Sequence, residues 1–189
     1  MDEPLLKRVT AEELPIVERI YLEAFPENER MEFSRLIADP LQGRKEILGI
    51  YQPEGQLVGF FALYYIGNLV YLMYFAVDRN RRGHGTGTKA LHQLYDLMDT
   101  KQAIVIDIER VFPEAPTYEV MARRRSFYAR EGFYFSGVYS HFFGVDFEIM
   151  VHGPKISPQE IIELFENAWA HYQVDIYLDG DTLRIRGQE

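Results

Sequence analysis

A glycine-rich stretch between an apolar run and a helical pattern is the part of this sequence best suited to bind a ligand. It consists of Arg82, Gly83, His84, Gly85, Thr86, Gly87 and Thr88. Glycines let the backbone approach a ligand closely, and the first amides of a helix have no acceptor within that helix. These amides and the helix dipole together favour an anion. The stretch therefore predicts a site for a phosphate or a pyrophosphate.

Two common nucleotide-binding motifs do not fit these glycines. A Walker loop has a lysine directly after its second glycine, but Thr88 follows Gly87 here. A dinucleotide-binding fingerprint needs its third glycine where Thr88 stands, within a parallel βαβ unit. The strand before this stretch belongs instead to an antiparallel pattern. The plain alternative is a tight turn in which the glycines serve backbone geometry alone.

The elements that position the stretch are a three-stranded meander and the helix after it. The meander is predicted over Glu46–Tyr51, Gln56–Ile66 and Leu69–Val77, because turn residues separate these β-rich runs. Leu69–Val77 is apolar or aromatic throughout, which indicates a central strand covered on both faces. A helical period follows over Gly85–Asp99.

The rest of the chain alternates between helical and extended patterns. Before the meander we predict a strand at Leu5–Val9, a first helix, and a second helix at Glu29–Ala38. The first helix begins after a Thr10/Glu13 capping box and ends before Pro26. After it we predict a strand, a helix with Gly132 as its C′ residue, and a hairpin: Ala103–Glu109, Tyr118–Glu131, Phe133–Phe143 and Val145–Val151. The class is α/β (α+β).

The C-terminal segment carries its own helix and hairpin signals. Ser157 is predicted to cap a helix, and Asp179-Gly180 to join strands Val174–Leu178 and Thr182–Arg186. Pro154 suggests a boundary between a domain at residues 1–153 and an extension at 154–189. Two roles stay open for this extension: capping an acceptor pocket or forming a homodimer face.

The glycine stretch resembles the signature of the GNAT N-acetyltransferases, Gln/Arg-x-x-Gly-x-Gly/Ala, matched by Arg82, Gly85 and Gly87. The predicted element order is similar to that of the GNAT fold over about Leu5–Val151, which implies a central mixed, mostly antiparallel sheet flanked by helices. The resemblance implies an acetyl-CoA-dependent N-acetyltransferase in which the amides of this turn bind the CoA pyrophosphate. It also implies that the strand end at Phe75, Ala76 and Val77 splays from the next strand and pairs with pantetheine.

Transfer of the acetyl group from acetyl-CoA releases the CoA thiolate, which needs a proton. A second resemblance suggests the residue that donates it. The run from Phe127 and Tyr128 to Gly132 and Phe133 is similar to the Phe-Tyr-x-x-x-Gly-Phe ending of the family's fourth helix. In the family this tyrosine commonly acts as general acid, and the role is carried to Tyr128. The alternative is an aromatic core residue that packs beside Phe127. Met121 stands where relatives often have an asparagine.

The general base is harder to assign from the sequence. Leu69–Val77, a frequent source of the catalytic glutamate in the family, contains no Asp, Glu or His. Asp107 and Glu109 project to one face of the next strand, and we select Glu109 because it lies nearer the C-terminal end. The alternative for Glu109 is an ion pair with Arg110 or an arginine of residues 123–125. Glu27 and Glu29 are rivals. They lie in the segment that joins the first two helices, which in the family overhang the acceptor site, so the resemblance implies that these glutamates bind the acceptor.

The composition of the chain indicates which classes of binding partner are expected. The net charge of −9 argues against a nucleic-acid-binding protein, and the acidic first helices favour a cationic acceptor such as a polyamine, an aminoglycoside or a lysine side chain. The chain has no cysteine, and its histidines lack ligand spacing, so no metal is expected. No apolar run approaches the roughly 20 residues of a membrane span, and no signal peptide is evident, so we expect a cytoplasmic protein without a membrane partner.

Two other functions stay open at this point. The chain could be a non-catalytic acyl-CoA-binding sensor or regulatory module, since the third meander strand lacks an acid. It could also bind a different nucleotide at the same turn.

Overall fold

The computed structural model describes residues 5–38 and 43–178, which form eight strands and five α-helices. The strands are β1 Leu5–Arg8, β2 Lys45–Tyr51, β3 Leu57–Ile66, β4 Leu69–Val77, β5 Ala103–Glu109, β6 Tyr134–Phe142, β7 Val145–His152 and β8 Asp175–Leu178. The helices are α1 Leu14–Ala24, α2 Phe33–Ile37, α3 Thr86–Leu97, α4 Tyr118–Arg130 and α5 Pro158–Ala168. None of the helices in these two ranges has the length and apolar character needed to cross a membrane.

The described strands form one mixed sheet in the order β1-β2-β3-β4-β5-β7-β6-β8. β4 and β5 are parallel, whereas β1–β2, β2–β3, β5–β7, β6–β7 and β6–β8 are antiparallel. The predicted class, a mixed and mostly antiparallel sheet flanked by helices, is therefore confirmed. The chain divides into two compact units, the first comprising Met1–Tyr65 and Leu72–Asp99, the second Ile66–Tyr71 and Thr100–Glu189.

The first unit contains the glycine-rich stretch. The predicted capping box is present, with the Thr10 amide donating to the Glu13 carboxylate at 2.9 Å, but it opens a 3-10 turn at Ala11–Glu13. The helix α1 begins after this turn, at Leu14, and ends at Ala24, before Pro26 as predicted. Its apolar face packs on the meander, where the Tyr21 ring lies 6.3 Å from the Phe60 ring and both side chains are fully buried. On α3, Leu91 and Leu94 are fully buried, as the helical period predicts.

The predicted helix over Glu29–Ala38 is wrong in its first half. Only Phe33–Ile37 is α-helical, preceded by a 3-10 turn at Glu27–Glu29 and an extended Arg30. Tyrosine hydroxyls take up the backbone groups that a helix would use. The Met31 amide donates to the Tyr74 hydroxyl at 3.2 Å, and its carbonyl accepts from Tyr21 at 2.9 Å. These buried tertiary bonds outweigh the local helix pattern.

The second unit is built around β5, which pairs with β4 on one side and β7 on the other. β6 and β7 are joined by a two-residue turn in which Phe143 and Gly144 have φ of 54° and 75°. Positive φ at both positions is typical of a type I′ hairpin turn. The Phe143 ring packs against Trp169 at 5.9 Å, a contact that helps to hold this non-glycine residue in the left-handed region.

The C-terminal segment adds a helix and an edge strand to the second unit. Ser157 caps α5 as predicted, and its amide donates to Glu160 at 2.7 Å. β8 pairs with β6, with Ser140 opposite Ile176. The predicted turn at Asp179-Gly180 and the strand Thr182–Arg186 lie outside the described residues. The division into domains at 1–153 and 154–189 stays a prediction.

Candidate functional site

The glycine-rich turn has the backbone geometry that only glycine adopts readily. Gly83 and Gly85 have φ of 86° and 77°. Gly85 is also the N-cap of α3, so no side chain caps the first amides of this helix. The first intrahelical bond at this end runs from the Lys89 amide to the Gly85 carbonyl at 3.0 Å. The helix thus presents an exposed, positively polarised end at this turn.

Side chains of the turn fold back and fix its shape. The Arg82 Nε donates to the Val77 carbonyl at 2.8 Å, which ties the turn to the last residue of β4. The His84 Nδ1 donates to the Arg82 carbonyl at 3.0 Å. Upstream, Asp78 accepts from the Asn80 amide and pairs with Arg19 at 2.8 Å. These contacts leave the backbone of Arg82, Gly83 and Gly85 exposed.

The end of β4 is apolar and its register with β5 is short. Parallel pairing links Leu69, Val70 and Tyr71 to Ala103, Ile104 and Val105, and the register ends there. Farther along β4, Ala76 and Val77 are buried, and the Phe75 ring contacts Phe61 with centroids 4.6 Å apart. A pantetheine contact by Phe75–Val77 stays a prediction.

Glu27 and Glu29 lie on the 3-10 turn after α1. Glu27 is exposed, whereas Glu29 is half-buried and its carbonyl accepts from the Tyr74 hydroxyl at 3.3 Å. Arg30 turns back to the carbonyls of Leu22 and Phe25. The two glutamates therefore sit on a segment anchored by its backbone.

Tyr128 is placed by the way α4 ends. Gly132 has φ of 88°, the Phe133 amide donates to the Tyr128 carbonyl at 3.0 Å, and the Gly132 amide donates to Ala129 at 3.2 Å. This pair of bonds is a Schellman motif, which only a residue tolerant of positive φ completes without strain. The Tyr128 ring packs edge-on against Phe133 at 5.3 Å and Phe127 at 5.1 Å.

The Tyr128 hydroxyl is available for chemistry. The side chain is 9 % exposed, and the hydroxyl makes no hydrogen bond with any described residue. Burial raises the pKa of Tyr128 to about 12; Arg124 opposes this rise and Asp107 adds to it. The phenol therefore stays protonated near neutral pH, as a proton donor must. Its packing also matches the alternative of a core aromatic, and the catalytic role stays a prediction.

Asp107 has an unusual environment for a carboxyl group. Burial raises its pKa to about 6, against a hydrogen bond from Tyr71 that lowers it. The Tyr71 hydroxyl donates to Oδ1 at 2.6 Å, and the Trp169 Nε1 donates to the Tyr71 oxygen at 3.1 Å. A carboxyl group with a pKa near the operating pH is suited to general base catalysis.

Glu109 lies two residues farther along β5, on the same face. Its Oε2 accepts from Arg124 Nη1 at 2.6 Å, so the ion pair that the sequence offered as an alternative is present. Arg125 pairs likewise with the buried Glu148 at 2.6 Å. A catalytic role for Glu109 stays a prediction, with the permanent charge of Arg124 beside it.

Tyr71 and Trp169 are neighbours of Asp107 that no pattern in the sequence predicts. Tyr71 lies within an apolar run, and its only signal is that a buried tyrosine hydroxyl usually has a polar partner. Trp169 belongs to the C-terminal helix, where nothing in the sequence links it to β4. The described residues contain no group of three or more metal-ligating side chains.

The fold is similar to that of solved acetyltransferase structures. A GNAT-family protein from Bacteroides thetaiotaomicron matches with a TM-score of 0.65 and 21 % identity, over 87 % of this chain and 94 % of that one. A GNAT acetyltransferase from Elizabethkingia anophelis with acetyl-CoA bound matches with a TM-score of 0.54 and 15 % identity, over 82 % of this chain and 100 % of that one. A spermidine/spermine N-acetyltransferase from Vibrio cholerae matches with a TM-score of 0.58 and 14 % identity, over 79 % of this chain and 91 % of that one. At these identities the likeness shows the fold.

The family itself is shown by sequence. A search of the curated proteins finds no match. The family model described as Acetyltransferase (GNAT) family, however, matches residues 14–133. That span exceeds half of the 189 residues and includes both the glycine-rich turn and Tyr128. The chain belongs to the GNAT family of acetyltransferases.

Proposed function

We propose that the protein is an N-acetyltransferase that moves an acetyl group from acetyl-CoA to a primary amine by direct transfer in a ternary complex. The observation that carries the proposal is the uncapped, exposed start of α3, with left-handed glycines at Gly83 and Gly85. Backbone donors at such an end suit a pyrophosphate. Arg82, His84, Thr86, Gly87 and Thr88 complete the proposed contact with CoA.

The transfer needs a free amine, because only its lone pair attacks the thioester carbonyl. We assign removal of the ammonium proton to Asp107 rather than to Glu109. Asp107 is half-buried with a raised pKa, so it accepts a proton readily near neutral pH. Protonating Glu109 would sacrifice its ion pair with Arg124. The thiolate that leaves takes its proton from Tyr128, whose hydroxyl has no competing acceptor in the described chain.

The acceptor that we propose is a cation, either a small polyamine-like molecule or a lysine side chain. The net charge of −9 and the exposed Glu27 support this choice. Acetyl-CoA-dependent release of free CoA should be measured with a panel of cationic, neutral and anionic amines. Cationic amines are expected to react best. Preference for anionic amines would refute the acceptor class, and no turnover with any amine, despite stabilisation by acetyl-CoA, would favour the sensor.

Replacing Gly85 by alanine is expected to weaken CoA binding by about tenfold. The turn of the free variant would relax out of the left-handed conformation, and regaining it on binding costs roughly 1–2 kcal/mol. A Cβ at this position meets no described atom within 4 Å, so the effect would come from backbone strain. Calorimetric titration with CoA measures it. Gly55→Ala is the matched control: φ is 87° there, also without a clash, in the β2–β3 turn. Equal loss of affinity in both variants would contradict a specific role of the α3 turn.

A further inference from the structure

The C-terminal helix contributes a buried hydrogen-bond chain to the second unit. It runs from Trp169 Nε1 to the Tyr71 hydroxyl at 3.1 Å and from that hydroxyl to Asp107 Oδ1 at 2.6 Å. Trp169 is 2 % exposed and Tyr71 is fully buried. The three residues come from just past the end of α5, from β4 and from β5, so only the folded unit brings them together.

Donor and acceptor chemistry gives the chain a direction. An indole N–H only donates, and a tyrosine hydroxyl has a single hydrogen. The Tyr71 oxygen must therefore accept from Trp169, which leaves its hydrogen for the Asp107 carboxylate. Donation to the oxygen also polarises the hydroxyl and strengthens the bond that it makes onward.

Packing around the indole keeps this direction fixed. The Trp169 ring lies 4.9 Å from Phe142 and 5.5 Å from Tyr172, and Phe165 of α5 lies 4.9 Å from the Tyr71 ring. A rotamer change of Trp169 would have to displace these aromatic rings. The indole is consequently a rigid donor rather than a fluctuating one.

We infer that Trp169 is a positioning residue, which holds the Tyr71 hydroxyl as a donor to the carboxylate of Asp107 and so couples the C-terminal helix to the proposed base. This inference rests on the proposed function for the role of Asp107 in catalysis, but the coupling exists without it. As a consequence, ionisation of Asp107 should change the hydrogen bond that the Trp169 indole N–H makes with Tyr71, although the indole does not bond to the carboxylate itself.

Other charged groups around Asp107 must be separated from this coupling. Tyr128 faces it from α4 and interacts with it, and Arg124 acts on Tyr128 and pairs with Glu109 on the same face of β5. β7 places the apolar Ile149 opposite Asp107. None of these groups bonds to the indole, so a response at Trp169 reports on the hydrogen-bond chain.

The test uses the full chain and needs no acetyl transfer. Trp169 is the only tryptophan, so its indole N–H gives one side-chain peak in a ¹⁵N–¹H spectrum. Because histidines titrate near neutral pH and His171 lies two residues away, the protein should carry His171→Gln. The indole peak is expected to shift between pH 4 and pH 8 with the midpoint of the Asp107 carboxyl signal. The shift should vanish in Asp107→Asn and in Tyr71→Phe.

An indole peak that does not move with pH, or that still moves in Asp107→Asn, would overturn the inference. If Tyr71→Phe does not fold, Trp169→Phe gives a second test through the ¹³C signal of the Asp107 carboxyl. Without the indole, the Tyr71 hydroxyl should be a weaker donor to Asp107, so the midpoint of the Asp107 carboxyl titration should move to higher pH. An unchanged midpoint would count against the coupling. Failure of the proposed function is distinguishable, because Asp107→Asn would then retain turnover while the indole titration of the parent protein persists.

Discussion

Asp107→Asn is expected to lower kcat/KM for amine acetylation at pH 8 by about 10²- to 10⁴-fold, the usual contribution of a general base. The asparagine cannot accept the proton of the ammonium group. In the unchanged protein, kcat/KM should rise with pH through the pKa of Asp107, about 6, because the base must be ionised. A pH profile of CoA release measures both effects, and this rise should be lost in the variant.

The variant also has an internal check on folding. The folded-state pKa of Asp107 is raised above 3.8 to about 6, so ionisation is easier in the unfolded chain. The stability linked to this group is fully present below about pH 4 and is lost as pH rises through about 6. Asp107→Asn avoids this loss and keeps an acceptor for Tyr71. The difference between the free energies of unfolding of the variant and the parent protein should therefore shift in favour of the variant, by up to about 3 kcal/mol, as the pH is raised from 4 to 8.

Glu109→Gln is the matched comparison, since it changes the other acid on the same face of β5. Loss of the ion pair with Arg124 should alter activity far less than loss of Asp107. If Glu109→Gln abolishes turnover while Asp107→Asn remains within about threefold of the parent, the roles are reversed and Glu109 is the base.

Tyr128→Phe is expected to lower kcat by about 10²- to 10³-fold while CoA affinity stays unchanged, because the phenol acts on the leaving thiolate and not on the bound ground state. The ring contacts with Phe127 and Phe133 are kept in the variant. Steady-state kinetics and calorimetric titration with CoA measure the two quantities.

Tyr134→Phe is the control for this change. It removes a hydroxyl that donates to the Pro154 carbonyl at 3.1 Å, also within the second unit, without a proposed catalytic role. Its kcat should stay close to that of the parent protein. A Tyr128→Phe enzyme as active as this control would show that Tyr128 is a core aromatic only.

Most elements could be predicted because local chemistry decides them. The Ser157 and Thr10 capping boxes, the turn at Gly144 and the C′ position of Gly132 depend on residues a few positions apart. The error at Glu29–Ala38 has the opposite origin. There Met31 bonds to Tyr21 and Tyr74, which are distant in sequence, and no local pattern shows such partners.

The candidate site divides in the same way. The turn at Gly83 and Gly85 could be found because positive φ leaves a trace in residue type. The preference for Asp107 over Glu109 could not, since both alternate onto one face of β5 and differ only in their neighbours. Arg124 reaches Glu109 from α4, and Trp169 reaches Tyr71 from beyond α5. Such environments arise from packing between elements, which spacing along the chain does not encode.

The most direct test of the proposed function is a ¹⁵N–¹H titration of the protein with CoA, with ATP and NAD in parallel. The amides of Gly83, Gly85, Gly87 and Thr88 are expected to show the largest shifts at saturating CoA, because they lie at the start of α3 and would bind the pyrophosphate. ATP and NAD should shift them less. If these amides stay unchanged when CoA is saturating, the turn does not bind the pyrophosphate and the proposed acetyl transfer loses its basis.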